Sequence, residues 1–228
     1  MRFRHSPDTR SRLSTRETAP AADRVRDPQR TRAEILDVAT SEFAANGYAG
    51  ARVDEIAAKT RTTKRMIYYY FESKQGLYLA VLEQAYSVIR SLERQVDVEH
   101  LDPLAALREL AELTFDHHES HPDFIRLVSI ENIHGAKHLA QSEMLPSLSA
   151  PVPELIGRIL ERGWAAGVLR EDVDALDVHM LISSYCVFRI ANRHTWSTIF
   201  GRDMLDPGRR AHYRTMLGDM VVDYLAKR

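Results

Sequence analysis

One short stretch of the chain, residues 53–71, combines basic and tyrosine side chains in the order VDEIAAKTRTTKRMIYYYF. Four of these side chains stand at positions i, i+1, i+4 and i+5, which share one face of a helix: Lys64, Arg65, Tyr68 and Tyr69. Lysine and arginine can donate hydrogen bonds to guanine O6 and N7 in the major groove. Tyrosine hydroxyls can donate to phosphate oxygens. The stretch therefore predicts a surface that contacts DNA.

Such a surface needs a scaffold helix, a tight turn and a second helix that can enter a groove. The apolar residues of the same stretch have helical spacing and predict the buried side of both helices: Val53, Ile56, Ala57, Ile67 and Phe71. Thr62 and Thr63 offer a side-chain cap for the second helix. We therefore predict a helix-turn-helix over residues 53–71.

Two other interpretations of these residues are open. Lys64 and Arg65 taken alone would fit any solvated helix face. The three consecutive tyrosines would also fit core aromatics at a helix junction, and for Tyr70 the two interpretations are evenly balanced. The combined spacing of the basic and aromatic residues favours DNA contact.

The charge of the chain is distributed unevenly. Its 228 residues include 31 Lys/Arg and 32 Asp/Glu, for a net charge of −1. Residues 1–76 hold 15 Lys/Arg against 10 Asp/Glu, whereas residues 77–228 hold 16 against 22. A basic head on an acidic body is expected if only the head meets phosphate groups.

Composition excludes several classes of protein. No apolar run approaches the ~18 residues of a membrane span, and the basic N-terminus lacks the apolar core of a secretory signal. Cys186 is the only cysteine, so the chain has no internal disulfide and no cysteine-based zinc site. We therefore expect a cytoplasmic protein that does not contact membranes.

The chain divides into a polar tail and a helical body. Residues 1–28 have almost no large apolar side chains, which predicts a disordered basic tail. From Arg30 onward, helical periodicity recurs to the end without β alternation. We predict an all-α protein of about nine helices, with a three-helix DNA-binding domain at 29–76 and a larger helical domain at 77–228.

Residues 30–82 resemble the N-terminal domain of TetR-family transcriptional regulators. The resemblance is carried by F-A-A-N-G-Y at 43–48, by the I-A pair at 56–57, and by I-Y-Y-Y-F-x-S-K-x-x-L at 67–77. It implies a two-fold dimer in which each third helix enters a major groove. It also implies a C-terminal domain that binds a small-molecule effector.

The family's DNA contacts can be carried over by position. The implied base contacts are Lys64, Arg65 and Tyr68. The implied phosphate contacts are Arg52, Thr63, Tyr69, Tyr70 and Lys74, and Thr62 completes the predicted DNA-binding set.

The chain departs from the family in two places. The turn carries Thr60-Arg61-Thr62 where members usually have Ala-Gly-Val, so Arg61 stands where glycine normally eases the turn. We expect the turn to persist with Arg61 directed to solvent or phosphate. The second helix also lacks the usual Ser or Thr cap, since Ala51 and Arg52 precede Val53.

The resemblance implies that residues 77–228 bind the effector and dimerise. Two apolar segments, 173–199 and 208–226, would form a four-helix bundle with the partner chain. The candidate effector-binding residues are polar or aromatic groups in apolar surroundings: Phe115, His118, Phe124, Val128, His134, Trp164, Tyr185, Phe188 and Arg189. A buried Arg189 would need an anion, either a protein carboxylate or an acidic ligand.

Histidine pairs suggest a competing function. His117 and His121 are four residues apart, as are His134 and His138, and such pairs can bind zinc. The sequence lacks an H-E-x-x-H motif, a catalytic Ser/His/Asp pattern and a phosphate-binding glycine loop. We predict a ligand-responsive repressor with no enzymatic activity, cofactor or metal. The alternatives are a DNA-binding dimer without an effector and a helical metal-dependent enzyme.

Overall fold

The computed structural model describes residues 27–97 and 99–227, and its regular elements there are helices, with one isolated bridge between Leu169 and Ala226. Eleven α-helices lie in these described ranges: α1 (Pro28–Gly50), α2 (Val53–Lys59), α3 (Lys64–Phe71), α4 (Lys74–Glu93), α5 (Pro103–Ser120), α6 (Pro122–Ile133), α7 (Met144–Ser149), α8 (Pro151–Ala165), α9 (Ala175–Ala191), α10 (Arg193–Phe200) and α11 (Arg210–Leu225). Short 3-10 turns at Leu139–Gln141 and Pro207–Arg209 precede α7 and α11. The all-α fold class is confirmed.

The eleven α-helices of the described residues exceed the predicted number of about nine, and one reason is that a long apolar segment is divided. Residues 172–200 form α9 and α10, which are separated at Asn192. The Asn192 backbone leaves helical geometry at φ −99° and ψ 6°, and its side-chain amide donates to the Phe188 carbonyl at 3.3 Å. Apolar periodicity does not register such a break, since both halves carry the same kinds of residue.

The tail prediction for residues 1–28 lies outside the described residues as far as Arg26. Asp27 and Pro28 open α1, which therefore begins before the Arg30 suggested by apolar spacing. The Asp27 carboxylate accepts a hydrogen bond from the Gln29 N–H at 3.0 Å. Pro28 sits in the first turn, where its missing N–H leaves no helical hydrogen bond unmade.

The first three helices and the start of α4 enclose one hydrophobic core. Its largest fully buried side chains are Ile35, Leu36, Phe43, Ile56, Ile67, Leu77 and Tyr78. Helix α1 has a sharp break after Asn46, where Gly47 adopts a positive φ of 67°. The Ser73 hydroxyl caps α4 by accepting from the Gly76 N–H at 3.0 Å.

A second core lies between α5, α8, α9 and α11. Ion pairs fix α11 against α5. Arg214 contacts both Glu112 at 2.5 Å and Asp116 at 3.1 Å, and Arg210 contacts Asp116 at 2.6 Å. This packing gives the larger half of the protein a rigid frame around the C-terminal part of α4.

Helices α4 and α6 link the two cores. Leu77, Tyr78, Val81 and Leu82 of α4 belong to the first core, and Ile89 belongs to a small cluster with Phe124, Ile125 and Ile190. Leu127 of α6 is also fully buried in the first core. A change in the position of α6 would therefore displace side chains in the core that supports the helix-turn-helix.

Candidate DNA-binding surface and buried polar cavity

The predicted helix-turn-helix is present as α2, a short turn and α3. Ile56 and Ala57 of α2 and Ile67 and Phe71 of α3 are buried, as their spacing predicts. The Thr63 hydroxyl caps α3 by accepting from the Met66 N–H at 3.2 Å.

The turn after α2 is closed by a pair of backbone hydrogen bonds. The Thr62 N–H donates to Ala57 O at 3.1 Å, and the Arg61 N–H donates to Ala58 O at 3.4 Å. This is the Schellman pattern, in which the residue that donates the second of these bonds adopts a left-handed conformation. Arg61 indeed has φ 52° and is exposed. Left-handed geometry costs a residue with a Cβ about 1–2 kcal/mol. The turn therefore persists with arginine in place of the family's usual glycine, but its backbone is strained at Arg61.

Fewer of the predicted DNA-contacting side chains of α3 are fully exposed than the sequence predicts. Lys64, Arg65 and Tyr69 are exposed, and Tyr69 retains 76% of its accessible surface. Tyr68 and Tyr70 are half-buried against the first core. Tyr68 follows the buried Ile67 directly and therefore lies at the edge of the buried face.

Two basic residues around α3 already have intramolecular partners. Lys64 Nζ lies 3.1 Å from Asp54 Oδ2 of α2. Lys74 Nζ donates to Ala49 O at 3.3 Å and lies 5.0 Å from the centre of the Tyr48 ring. Arg52 and Thr63 are exposed, while Thr62 and Lys74 are half-buried. An incoming phosphate or base would have to compete with Asp54 for Lys64.

Glu42, which the sequence analysis did not single out, holds α1 and α2 together. Its buried carboxylate accepts from Lys59 Nζ at 2.9 Å, from Asn46 Nδ2 at 3.0 Å and from the Arg52 backbone N–H at 3.3 Å. The hydrogen bond from Lys59 is the main reason that the pKa of Glu42 lies below its ordinary value. No side chain caps α2, so Glu42 satisfies the Arg52 N–H from another helix. Glu42 lies on the buried face of α1, among apolar residues with helical spacing. An acidic residue in that pattern was the sequence signal that could have identified it.

The nine predicted effector-binding residues do not line a single cavity. His118, Phe124 and Val128 line one buried cavity, and Tyr185, Phe188 and Arg189 line a separate apolar groove beside α10 and α11. His134 is exposed and borders a third depression near the end of α1. Phe115 is fully buried in the second core. Trp164 packs against that core and donates from Nε1 to Arg170 O at 2.7 Å.

The cavity that holds His118, Phe124 and Val128 lies between α4, α5, α6 and α9 and has a volume of about 170 Å³. Its polar lining consists of Arg90, Glu93, Thr114, His118, His179 and Ser183. Its apolar lining consists of Tyr86, Ile89, Phe124, Ile125, Val128 and Val187. Four of these side chains, Tyr86, Ile89, Arg90 and Glu93, are spaced i, i+3, i+4 and i+7 on α4, and that spacing was the available signal for a site on this helix.

A buried ion pair dominates the cavity. Arg90 Nη1 contacts Glu93 Oε2 at 2.5 Å, and both side chains are less than 10% exposed. Within the described residues, the Arg90 Nε–H has no hydrogen-bond acceptor. Leaving a buried donor unpaired typically costs about 1–3 kcal/mol. The Nε–H of Arg90 is therefore available to an acceptor that enters the cavity.

The two cavity histidines are held neutral. Burial is the main reason that the pKa of His118 falls to about 4, and the nearby charge of Arg90 contributes. Burial and then Arg90 also lower the pKa of His179. Burial raises the pKa of Glu93, against the opposing effect of Arg90.

The structure gives the other histidines separate environments. His117 is buried, and neither of its ring nitrogens has a hydrogen-bond partner among the residues that the structure describes. Burial lowers its pKa to about 3. His138 Nδ1 lies 2.8 Å from the Glu131 carboxylate. Across residues 27–97 and 99–227, no three His, Cys, Asp or Glu side chains are placed to hold a metal ion.

Arg189 is buried as predicted and has a protein carboxylate nearby. Its Nη2 lies 3.6 Å from Glu119 Oε1 and donates to Met204 O at 2.8 Å. Its guanidinium lies 4.1 Å from the centre of the Phe115 ring. Of the two predicted kinds of anion partner, the structure provides the carboxylate.

Glu131 of α6 is tied to the first core through hydrogen bonds. Its fully buried carboxylate accepts from the Tyr78 hydroxyl at 3.0 Å and from the backbone N–H groups of His138 at 3.0 Å and Leu139 at 3.1 Å. Burial alone would raise the pKa of Glu131, but these hydrogen bonds outweigh it and the pKa is lowered.

A capped helix-turn-helix with a basic face, attached to a larger helical domain with a buried polar cavity, defines a DNA-binding regulator. Residues 35–81 match the profile of the bacterial regulatory proteins of the tetR family. Residues 103–221 match the Tetracyclin repressor-like C-terminal domain. The chain belongs to the tetR family of transcriptional regulators.

Individual relatives agree with this assignment. The HTH-type transcriptional repressor NicS of Pseudomonas putida is 33% identical over 210 residues, which cover 92% of this chain and 98% of NicS. SCO4942 of Streptomyces coelicolor, described as a transcriptional regulator, is 29% identical with a TM-score of 0.61 and covers 83% of this chain and 97% of its own. The ketosteroid transcriptional regulator KstR2 of Mycobacterium tuberculosis shares the fold, at 18% identity and a TM-score of 0.64 over 86% of this chain and 95% of its own.

In the part of the chain that the structure describes, none of the helices combines the length and apolar character needed to span a membrane.

Proposed function

We propose that the chain is a repressor that binds a pseudo-palindromic operator as a homodimer and leaves it when a small molecule binds. Domains at 29–76 and 77–228 would carry DNA binding and effector binding. We also propose that it acts in the cytoplasm without enzymatic activity. The observation that carries this proposal is the exposed basic face of α3 on a core that is continuous with α6.

Recognition of the operator would fall to the exposed residues of α3. Arg65 and Tyr69 project from the helix without burial, and Lys64 is released if its pairing with Asp54 is exchanged for DNA. An arginine that reads guanine is worth about 1–3 kcal/mol of discrimination. Arg52, Thr62, Thr63, Tyr68, Tyr70 and Lys74 would supply the remaining contacts, chiefly to phosphates.

Dimerisation would use α9 and α11. Exposed apolar side chains form a stripe on each helix: Leu176, Met180 and Phe188 on α9, and Met220 and Tyr224 on α11. The two helices contact each other, so the stripes border one surface. A contiguous exposed apolar patch of this kind commonly marks a protein interface. In a C2 dimer, the same four helices would form a bundle.

Effector binding would use the cavity between α4, α5, α6 and α9. Helix α6 contributes Phe124, Ile125 and Val128 to this cavity and Leu127 to the first core. A ligand that shifts α6 would therefore change the position of α1 and α4, and with them the spacing of the two α3 helices.

The test is operator binding by the purified full-length protein. DNA from the promoter beside the protein's own gene should be bound by a dimer and protected over two half-sites about one helical turn apart. Binding by a monomer, or no preference for that promoter over unrelated DNA, would contradict the proposal.

A further inference from the structure

The cavity between α4, α5, α6 and α9 contains a cation with an unused donor. Nη1 of Arg90 donates to the Glu93 carboxylate, whereas its Nε–H has no acceptor among the described residues. The residue is 93% buried. Buried polar groups in native proteins are almost always paired, so an exception calls for a missing partner. An oxygen atom of a bound molecule would supply that partner.

His118 offers the opposite hydrogen-bonding character. Its Nδ1 lies 2.9 Å from the Thr114 carbonyl, and because a carbonyl only accepts, Nδ1 carries the proton of the neutral ring. Nε2 is then an acceptor, and it has no hydrogen-bond partner within the described residues. The cavity thus presents an unused donor at Arg90 and an unused acceptor at His118.

The remaining walls favour a small molecule with an apolar body. The rings of Tyr86 and Phe124 meet edge to face with centres 5.2 Å apart, and Ile89, Val128 and Val187 complete the apolar lining. At about 170 Å³, the cavity is smaller than the roughly 300–1,000 Å³ of pockets for drug-sized ligands. A single substituted ring matches this volume better than a fused or long-chain molecule.

The electrostatics favour an anionic group at Arg90. The positive charge of Arg90 contributes to the lowered pKa of both His118 and His179, which indicates that it acts across the cavity. Burial raises the pKa of Glu93, so burial disfavours the charged form of this carboxyl beside Arg90.

We propose that this cavity binds a small aromatic carboxylate that also carries a hydroxyl or N–H donor. The carboxylate accepts hydrogen bonds from Arg90, and the donor is received by Nε2 of His118. This inference rests on the proposed function, since it takes this cavity to be the effector site.

The test is calorimetric titration of the full-length protein, without DNA, with three probes: 4-hydroxybenzoate, its neutral amide 4-hydroxybenzamide, and benzoate. We expect 4-hydroxybenzoate to bind at least about tenfold more tightly than the amide, because only the acid can form a charged pair with Arg90. Benzoate should bind more weakly than 4-hydroxybenzoate, since it leaves His118 Nε2 unpaired. Equal binding of acid and amide, or no binding of either acid at millimolar concentration, would overturn the inference.

Two variants locate the site. Arg90→Gln should weaken 4-hydroxybenzoate binding by at least about tenfold and remove its advantage over the amide. Arg158→Gln, at an exposed arginine on α8 that does not line the cavity, is the matched control and should bind like the wild type. An unchanged affinity in Arg90→Gln would overturn the inference.

The wild-type comparison of acid with amide stands even if Arg90→Gln, which leaves Glu93 buried without its cation, proves unstable. Because no DNA is present, a negative result here leaves operator binding by the free protein unaffected. A failure of the proposed function would appear instead as loss of operator binding, whatever the probes do.

Discussion

The Tyr78 hydroxyl donates a hydrogen bond of 3.0 Å to the Glu131 carboxylate, and both residues are fully buried. Tyr78 lies near the start of α4 in the core of the helix-turn-helix, and Glu131 lies near the end of α6. Phe124 and Val128 of the same α6 line the buried cavity. This hydrogen bond is therefore a direct polar link between the helix that borders the cavity and the core that positions α3.

Removing this link should weaken the whole protein. Tyr78→Phe deletes one hydrogen bond to a buried carboxylate, and hydrogen bonds to charged groups contribute about 1.5–3 kcal/mol. We expect the free energy of unfolding in urea to fall by about that amount. Tyr70→Phe is the matched control, because Tyr70 packs on the same core and its hydroxyl makes no hydrogen bond within the described residues. Equal losses in the two variants would show that the link to Glu131 contributes nothing.

The turn between α2 and α3 stores strain at Arg61. Arg61→Gly should raise the free energy of unfolding by about 1 kcal/mol, because glycine adopts φ 52° without a Cβ clash. Arg61→Ala removes the same side-chain interactions but keeps the Cβ, so it should give no such gain. Thermal or urea unfolding of the two variants measures the difference. If alanine matched glycine, strain at this residue would not be the cause.

The ion pair between Asp54 and Lys64 should restrain DNA binding. Asp54→Asn removes a negative charge 3.1 Å from Lys64, on the surface proposed to approach phosphates. We expect tighter DNA binding at low salt and a steeper dependence on salt concentration, by about one unit, since one more cation becomes available to phosphate. Fluorescence anisotropy across a salt series measures both quantities, with Glu161→Gln on the exposed side of α8 as the control. A weaker affinity in Asp54→Asn would mean that Asp54 positions Lys64 for DNA rather than competing for it.

His117 should make stability depend on pH. Its pKa is lowered from 6.5 to about 3 by burial, so below pH 6.5 the unfolded chain takes up a proton that the folded protein refuses. The free energy of unfolding therefore falls as the pH drops from 6.5 toward about 3. In His117→Leu this contribution disappears, and the curve of stability against pH should be flatter, although His118 retains a similar contribution. Urea unfolding at several pH values tests this, and an unchanged slope would contradict it.

Local chemistry was enough to predict much of the DNA-binding half. Thr63 caps α3, and Arg61 takes the positive φ that its position in the turn implies. These features depend on neighbours a few residues away, so the order of residues is sufficient to indicate them.

Contacts between distant segments were beyond the sequence. The three cavity residues that were predicted, His118, Phe124 and Val128, lie on α5 and α6. Arg90 and Glu93 are three residues apart on α4, and His179 lies on α9, so their place in the same cavity follows only from the packing of α4 and α9 beside α5 and α6. Phe115 and Trp164 were expected beside the effector, but Phe115 is buried in the second core and Trp164 packs against it. An aromatic residue in an apolar helix looks the same in sequence whether it faces a cavity or a neighbouring helix.

Operator binding by paired α3 variants tests the central claim most directly. Anisotropy titrations with the promoter beside the protein's own gene should show that Lys64→Ala and Arg65→Ala together reduce affinity by at least about tenfold and relax preference for that sequence. The control is Arg94→Ala, which changes an exposed arginine remote from α3 and should behave like the wild type. If the double variant kept both the affinity and the preference of the wild type, α3 would not be the helix that reads DNA.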